Sequence, residues 1–503
     1  MGGVLMSIIK ISNLSFSYDN SDKVIFSNLN LNLDSSWKLG LVGRNGRGKT
    51  TFLNLLRGKL KGSGEISTNL TFSYFPIQIA NPDNLVLYEL QNQVNFEVWQ
   101  LERELNLMQL NPDLLWQPFN TLSGGEQTMV LLALSFVSQN SFALIDEPTN
   151  HLDVANRRQV ANYLKKHKEG YIIVSHDRDF LNEVSNHVLA IENNEIHLYQ
   201  GNYASYEATK DKRDKYNQEK NLKLKSEIAS LKKSARQIKS FSEKSEKNKN
   251  AAAHKNEIHA DINKGFYGHK AAKIMKRSIT MQQRVNKKIT EKEGLLTNIE
   301  KAPDLLMNFS PNYHQTLLEL QHLSLKIDNK PLFQDLNLII KNHGIVALEG
   351  KNGSGKSTLL KFILNKSKAE ASGKMILANG LKISYLPQTF STYTGTLKEF
   401  SEKKHITYSD LLNNLKKMGF LRADFTLKIE DMSMGQQKRV ALAKSLVEDA
   451  DFYLWDEPAN YLDVFNQDQL IKLLKQTKPA MILVEHDKYF IEQVADKKIK
   501  LTS

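Results

Sequence analysis

The chain has no cysteine among its 503 residues. That absence removes structural disulfides, thiolate metal sites and cysteine nucleophiles together, and it fits a cytoplasmic setting. Also missing is any uncharged apolar run of about eighteen residues, the length a bilayer-spanning helix needs, so a membrane role would require a separate partner. The first ten residues carry no basic n-region and no small-residue cleavage site, so they do not read as a signal peptide. Either Met1 or Met6 can serve as the start. What is present is the composition of a globular protein, 41% apolar and 24% charged. The length exceeds one ordinary domain, and two domains plus an extra segment is the starting expectation.

Charge is unevenly placed. The formal net charge is +13, yet residues 210–301 alone hold 25 Lys plus Arg against 11 Asp plus Glu, a local +14. The remainder is close to neutral. A basic excess confined to one middle segment is an electrostatic footprint for a polyanion, with RNA, DNA and anionic lipid as candidates. A solvated helical face accounts for the same charges.

The sequence is written twice. GRNGRGKTT at residues 43–51 returns as GKNGSGKST at residues 350–358, placing Lys49 and Lys356 307 positions apart. Later landmarks keep a constant offset of 310: Ser123 with Ser433, Asp146 with Asp456, Glu147 with Glu457, His176 with His486. Each copy alternates short apolar runs (WKLGLVG, SFALIDE, YIIVSHD; GIVALEG, DFYLWDE, MILVEHD) with amphipathic stretches, the pattern of buried parallel strands and covering helices. Parallel sheets present functional groups at the carboxyl ends of their strands, where these acids and histidines fall.

Both glycine-rich loops match G-x-x-x-x-G-K-[ST], whose backbone N–H groups wrap phosphate oxygens at the positive end of a helix. The expected phosphate-binding residues are Gly43, Asn45, Gly46, Gly48, Lys49, Thr50 and Thr51, and Gly350, Asn352, Gly353, Gly355, Lys356, Ser357 and Thr358. Lys49 and Lys356 would reach the β and γ phosphates, with Thr50 and Ser357 on Mg²⁺. Asp146 and Asp456 end apolar strands, which suits carboxylates holding Mg²⁺. Glu147 and Glu457 follow as general bases for an attacking water, implying two hydrolytic sites. His176 and His486 would then contact the γ-phosphate.

LSGGE at residues 122–126, between the phosphate loop and the acidic strand, resembles the signature of ATP-binding cassettes. In that family two cassettes face head to tail. The resemblance implies that Ser123, Gly124 and Gly125 complete the site of Lys356, and that Ser433 and Gly435 of SMGQQ complete the site of Lys49. Asp153 of NHLD and Asp463 of NYLD match the loop that crosses this interface. Tyr18 stands where the family stacks an aromatic ring on adenine, whereas the second copy has Ile327. Gln388 in YLPQ matches the glutamine that senses Mg²⁺ and γ-phosphate, while the first copy reads YFPIQ, leaving Gln78 one residue late. Met434 replaces a signature glycine, which changes backbone freedom beside the phosphate and points to unequal sites.

The segment between the copies reads as two helices. Leu224, Ile228, Leu231, Ala235 and Ile238 step by four and three, a coiled-coil seam. A second stripe runs through Ile274, Met281, Val285, Ile289, Leu296 and Ile299. The fold class is therefore α/β, with two tandem P-loop cassettes at residues 1–200 and 317–503. A long antiparallel helical hairpin at residues 201–316 joins them, with an extended tip or loop at about 241–267. Two cassettes joined by a basic hairpin resemble the ABC-F family of ribosome-associated ATPases, and the antibiotic-resistance members of Lsa and Vga type in particular. MKRS at residues 275–278 and DEPANYLDVFN are shared features. That resemblance implies a monomer with ATP and Mg²⁺, acting on the bacterial ribosome from the tRNA exit site. Its hairpin would lie beside peptidyl-site tRNA, and Phe241, Phe266 and Tyr267 of the tip would approach large-subunit rRNA at the peptidyl transferase centre. Lincosamides, streptogramin A and pleuromutilins are the expected drugs, and no membrane is involved. A housekeeping ABC-F translation factor shares almost all of these residues. The energy subunit of a drug exporter is the remaining reading, and a basic hairpin has no evident task there.

Overall fold

A computed structural model describes residues 7–19, 24–138, 140–150, 152–192, 194–255, 264–296, 303–328, 330–351, 353–390 and 392–501. They fall into two compact units: Met1–Tyr206 with Ala302–Ser503, which holds both cassettes, and Glu207–Lys301.

In the first cassette a six-stranded sheet runs Thr71–Phe75, Ser141–Asp146, Tyr171–Val174, Lys38–Val42, His187–Glu192, Glu195–Gln200. All neighbours are parallel except the last pair. The second cassette repeats the design with Ile383–Leu386, Phe452–Asp456, Met481–Val484, Ile345–Glu349 and Lys497–Lys500, all parallel. Each cassette adds a three-stranded antiparallel sheet: Ile8–Ser17 between Val24–Asp34 and Ser63–Ser67, and Thr316–Ile327 between Lys330–Lys341 and Glu370–Leu377.

The apolar runs are continuous because both faces of the parallel sheets are covered. Alternate residues serve opposite cores: Phe142 and Leu144 pack with the antiparallel sheet, Ala143 and Ile145 with the helices. Such a two-sided strand leaves little room for truncation, and Leu144→Ala should cost about 2–5 kcal/mol. Register then sets the chemistry. Asp146 pairs with Val174 and Asp456 with Val484, so in each copy the acid and the following histidine leave the sheet at one edge.

The second unit is helical. Tyr203–Lys255 spans 53 residues, about 80 Å at 1.5 Å per residue, and is followed by Lys264–Gly294 of 31 residues. The loop expected at 241–267 is thus helical through Lys255 and again from Lys264, consistent with the Glu, Lys and Ala content of that stretch. Gly294 ends the second helix earlier than expected, as glycine does. Leu224, Ile228 and Ile289 are buried, and Lys232 Nζ lies 2.8 Å from Glu293 across the helix pair. Lys292 and Glu227 form a second ion pair. Met281 departs from the expected stripe and is 57% exposed. The less exposed positions are Ser278, Gln282, Val285, Ile289, Lys292 and Leu296, a spacing of four and three that passes Met281 by one residue. Asn352, Ile299, residues 256–263 and the side chains of Ile274, Phe241, Phe266 and Tyr267 lie outside what is described.

Candidate functional site

Each phosphate loop joins the end of a central strand to a helix, Lys49–Leu56 or Lys356–Ile363. Gly48 and Gly355 occupy the residue before the helix with φ of 99° and 88°, where any side chain would be strained. A Cβ on Gly48 would also meet Ile25 at 2.6 Å. Lys49 and Lys356 are buried. Lys49 Nζ donates to Gly43 O at 2.8 Å and Asn45 Oδ1 at 3.0 Å, and Lys356 Nζ to Gly350 O and Lys351 O, both at 2.9 Å. Burial pushes both ammonium groups below their ordinary range, opposed by the facing carboxylates. An ammonium that satisfies itself on loop carbonyls is poised to exchange them for an anion.

The acids follow at the strand ends. Thr50 Oγ1 donates to Asp146 Oδ2 at 2.8 Å, and Tyr74 OH reaches the same oxygen at 3.3 Å. In the second copy both Asp456 oxygens are buried without a hydrogen-bond partner, and burial pushes this carboxyl up to about 6. An orphaned buried carboxylate beside a hydroxyl and a lysine fits a hard divalent cation. Glu147 and Glu457 both hold left-handed backbones, φ 55° and 50°. Their N–H groups are fixed on Val174 O at 2.9 Å and Val484 O at 2.8 Å. Strain maintained at the same residue in both copies marks a position where side-chain aim matters. His176 Nε2 lies 3.2 Å from Glu147 Oε1, and His486 Nε2 3.8 Å from Glu457 Oε1. Burial raises the Glu147 carboxyl and lowers both imidazoles, with Lys49 and Lys356 adding to the histidine shifts.

The cassettes meet head to tail. Asn45 N–H of the first phosphate loop donates to Asp463 Oδ2 of the second cassette at 2.6 Å. A cavity of about 1240 Å³ at the first loop carries Thr50, Asp146, Glu147 and His176 on one wall and Ser433, Met434 and Gly435 on the other. Ser433 caps the helix Met434–Val447, with Gln436 completing a reciprocal box. Sequence reasoning missed Arg439, which lines the same cavity one helical turn past Gly435 and donates to its carbonyl at 3.2 Å. Its spacing of four from a signature glycine was the available signal.

At the second loop the cavity is about 270 Å³ and holds Gly353, Gly355, Lys356, Ser357, Thr358, Gln388, Glu457 and His486. Gln388 Nε2 donates to Glu457 Oε1 at 3.0 Å. Leu152 and Arg157 are its lining residues from the first cassette. Asp153 is near enough to raise the Lys356 ammonium. Ser123, Gly124 and Gly125 are not among the described residues that line it. Gln78 does not reach the first cavity either: Ile77 and Ile79 line it, while Gln78 is exposed and accepts a bond from Gln93 on its carbonyl. Alternation along an extended segment turns the intervening residue outward. Tyr18 is outside both linings, exposed, and bonded through its hydroxyl to Thr51 at 2.8 Å.

A family model described as ABC transporter matches residues 26–150 and 333–460, together half of the chain. The chain belongs to that family. It is a tandem-cassette ABC ATPase, and its resemblance to the ABC-F group extends along the whole length. Ribosome protection protein VmlR of Bacillus subtilis is 27% identical over 99% of this chain and 87% of its own. ATP-binding protein Uup of Buchnera aphidicola is 29% identical over 98% and 80%. Among solved structures, the archaeal ribosome recycling factor aABCE1 in complex with stalk protein aP1 matches at 19% identity and TM-score 0.60, over 97% of this chain and 87% of that one. A ribosome-bound archaeal Pelota and ABCE1 model matches at 20% and 0.63, over 98% and 76%. At these identities the solved structures share the tandem-cassette fold. No helix among the described residues is long and apolar enough to cross a membrane.

Proposed function

We propose that this ABC ATPase binds the bacterial ribosome at the tRNA exit site and protects it from antibiotics that act at the peptidyl transferase centre, with hydrolysis driving release. The observation that carries the reading is the basic helical pair set between two cassettes of one chain, supported by the full-length likeness to a ribosome protection protein. Lincosamides, streptogramin A and pleuromutilins are the drug classes proposed, and the tip around Phe241, Phe266 and Tyr267 is the proposed effector.

Within each site the loop amides, with Lys49 or Lys356, hold the ATP phosphates. Mg²⁺, placed by Thr50 with Asp146 and by Ser357 with Asp456, would neutralise phosphate charge. Glu147 and Glu457 accept the proton of the attacking water. His176 and His486, kept neutral by burial, sit beside those carboxylates at the γ-phosphate side. Ser433 and Gly435 close the first site over the nucleotide, and Asp463 leaves Asn45 N–H as phosphate arrives.

The test is cosedimentation of the Glu147→Gln, Glu457→Gln chain with ribosomes. Hydrolysis is blocked there while the phosphate loops are intact, so the chain should pellet with ribosomes when ATP is present. Recovery in the supernatant with ATP still bound would overturn the reading. A second reading is a general translation factor of the ABC-F group, and the likeness to Uup, described as an ATP-binding protein, is compatible with either. Drug susceptibility of cells with the intact chain and with residues 241–267 replaced by a short glycine-serine turn separates the two. Protection should vanish with the tip while ATPase activity remains.

A further inference from the structure

Arg157 lies just past Asp153, on the helix Val154–Lys166 of the first cassette. Its Nε donates to Leu152 O at 3.1 Å and its Nη1 to Asp177 Oδ2 at 2.9 Å. The counterpart 310 residues on is Gln467, whose Nε2 donates to Leu462 O and Ala459 O, each at 3.4 Å. Leu152 and Leu462 are themselves counterparts, so both side chains tie down the same loop carbonyl in their own cassettes. Gln467 has no further donor to offer. Arg157 carries a full charge and five N–H donors, and its two hydrogen bonds leave Nη2 without a protein acceptor among the described residues.

The residue also stands at the boundary with the other cassette. Arg157 lines the cavity of Lys356 together with Ser357, Glu457 and His486. It is close enough to His486 to help hold that imidazole below its ordinary range. It also lines the small polar gap between Glu147 and Glu457, so the guanidinium stands where the two catalytic halves meet.

We propose that Arg157 acts in trans at the second site, donating to the γ-phosphoryl oxygens of ATP bound at Lys356, while its counterpart Gln467 is uncharged and is not among the described residues that line the first cavity. The inference rests on reading the Lys356 cavity as an ATP site. In the step it serves, a water oxygen bonds to the γ-phosphorus and its proton passes to Glu457. The bond from phosphorus to the β,γ-bridging oxygen breaks, and that electron pair leaves with ADP. Arg157 makes and breaks no covalent bond. A planar fork suits the equatorial oxygens of the transferring group, whose charge is spread over all three. Its anchorage on Leu152 O and Asp177 fixes the fork in advance, so little side-chain freedom is lost when phosphate arrives.

The test uses the full chain carrying Glu147→Gln, in which hydrolysis comes from the second site, and measures single-turnover cleavage with enzyme in excess. Arg157→Gln installs the residue that the second cassette already uses for the loop tie, so the fold should hold. The cleavage rate constant should fall about tenfold or more with half-saturation moving less than about threefold, because the lost contact belongs to the transition state. Added guanidinium ion should restore part of the rate, and Arg157→Lys should be intermediate, keeping charge without the fork. A rate constant within about twofold of the parent, or a loss confined to half-saturation, would overturn the inference and leave the site reading standing. So would a loss that guanidinium does not relieve and that comes with a lowered melting temperature, since that is a structural role. If hydrolysis in the Glu147→Gln chain survives Lys356→Ala, the activity does not reside at Lys356, and the site reading falls together with the inference.

Discussion

At the first phosphate loop the cavity is about 1240 Å³ and the second cassette walls it with Ser433, Met434, Gly435 and Arg439. At Lys356 it is about 270 Å³, and the first cassette supplies Leu152 and Arg157. The motif residues of the two copies are nearly interchangeable, and the differences lie in what stands beside them. Asp146 is held by Thr50 and Tyr74, whereas neither side-chain oxygen of Asp456 is firmly hydrogen-bonded and Ser357 is only close enough to lower its carboxyl in part. Glu457 is touched by Gln388, whereas Ile77 and Ile79 occupy the corresponding wall of the first site. A duplicated motif therefore does not make a duplicated environment, and the neighbours decide how each site responds.

The largest effect should come from the general bases. Glu147→Gln and Glu457→Gln should each slow their own site by about 10²–10⁴-fold, the range for losing a positioned proton acceptor. Rapid-quench single turnover should resolve two phases in the parent chain and one in each variant. If either substitution alone abolishes both phases, the sites work as one unit and the comparison fails.

Next comes the glutamine that only one site receives. Gln388→Ala, in the Glu147→Gln chain, removes a hydrogen bond to a carboxylate worth about 1.5–3 kcal/mol, so second-site cleavage should drop about 10–100-fold. Gln78→Ala, in the Glu457→Gln chain, should change first-site cleavage by less than about twofold, because that side chain points away from the cavity. A matching loss at Gln78 would mean that the loop rearranges when ATP binds.

The third difference is in acid dependence. Burial raises the Glu147 carboxyl above the ordinary 4.5, against the pull of Lys49. A base works only when ionised, so first-site cleavage should be lost as pH falls through this raised value, earlier than for an ordinary glutamate. In the Glu457→Gln chain the single-turnover rate should rise about tenfold per pH unit below that value and level off above it. His176, pushed well below its usual range, stays neutral throughout and adds no limb. The same limb appearing in the Glu147→Gln chain would assign it to another group.

Much of this was legible in the residues. The strands and the phosphate loops follow from two-sided apolar runs and a repeat offset, because period and spacing are local properties that tertiary packing preserves, whereas the head-to-tail pairing was implied by the resemblance of LSGGE to the cassette signature. Three things were not legible. Whether Gln78 or Ile77 faces the cavity depends on a register of one residue, and a one-residue slip inverts sidedness. The helical continuation through Lys255 is set by propensity in a segment whose polarity reads equally as loop. The exchange of Arg157 for Gln467 between the copies is visible in the residues, but what Arg157 meets across the cassette boundary is something no single-copy pattern reports.

The smallest expected effect concerns Met434. It is the first residue of its helix, 47% exposed, and it lines the first cavity. Its backbone is already helical and Ser433 keeps its reciprocal cap with Gln436, so the freedom of a glycine is not needed there. Position matters along the motif. A Cβ on Gly124, the counterpart of Met434, would meet nothing within 4 Å, whereas one on Gly125 would meet Asn156 Nδ2 at 2.3 Å, and one on Gly435 the Tyr461 carbonyl at 3.3 Å. The second signature thus carries its side chain at the one position of the pair with open space. Met434→Gly should leave folding intact, at a cost of less than about 1 kcal/mol for glycine near a helix end. First-site cleavage in the Glu457→Gln chain should rise by no more than about threefold as the wall opens, with the second site unchanged. The reciprocal Gly124→Met should be tolerated equally by the fold. A change beyond about tenfold at the first site would put the Met434 side chain in contact with the nucleotide, and the inequality of the sites would then begin at the signature rather than at Gln388 and Arg157.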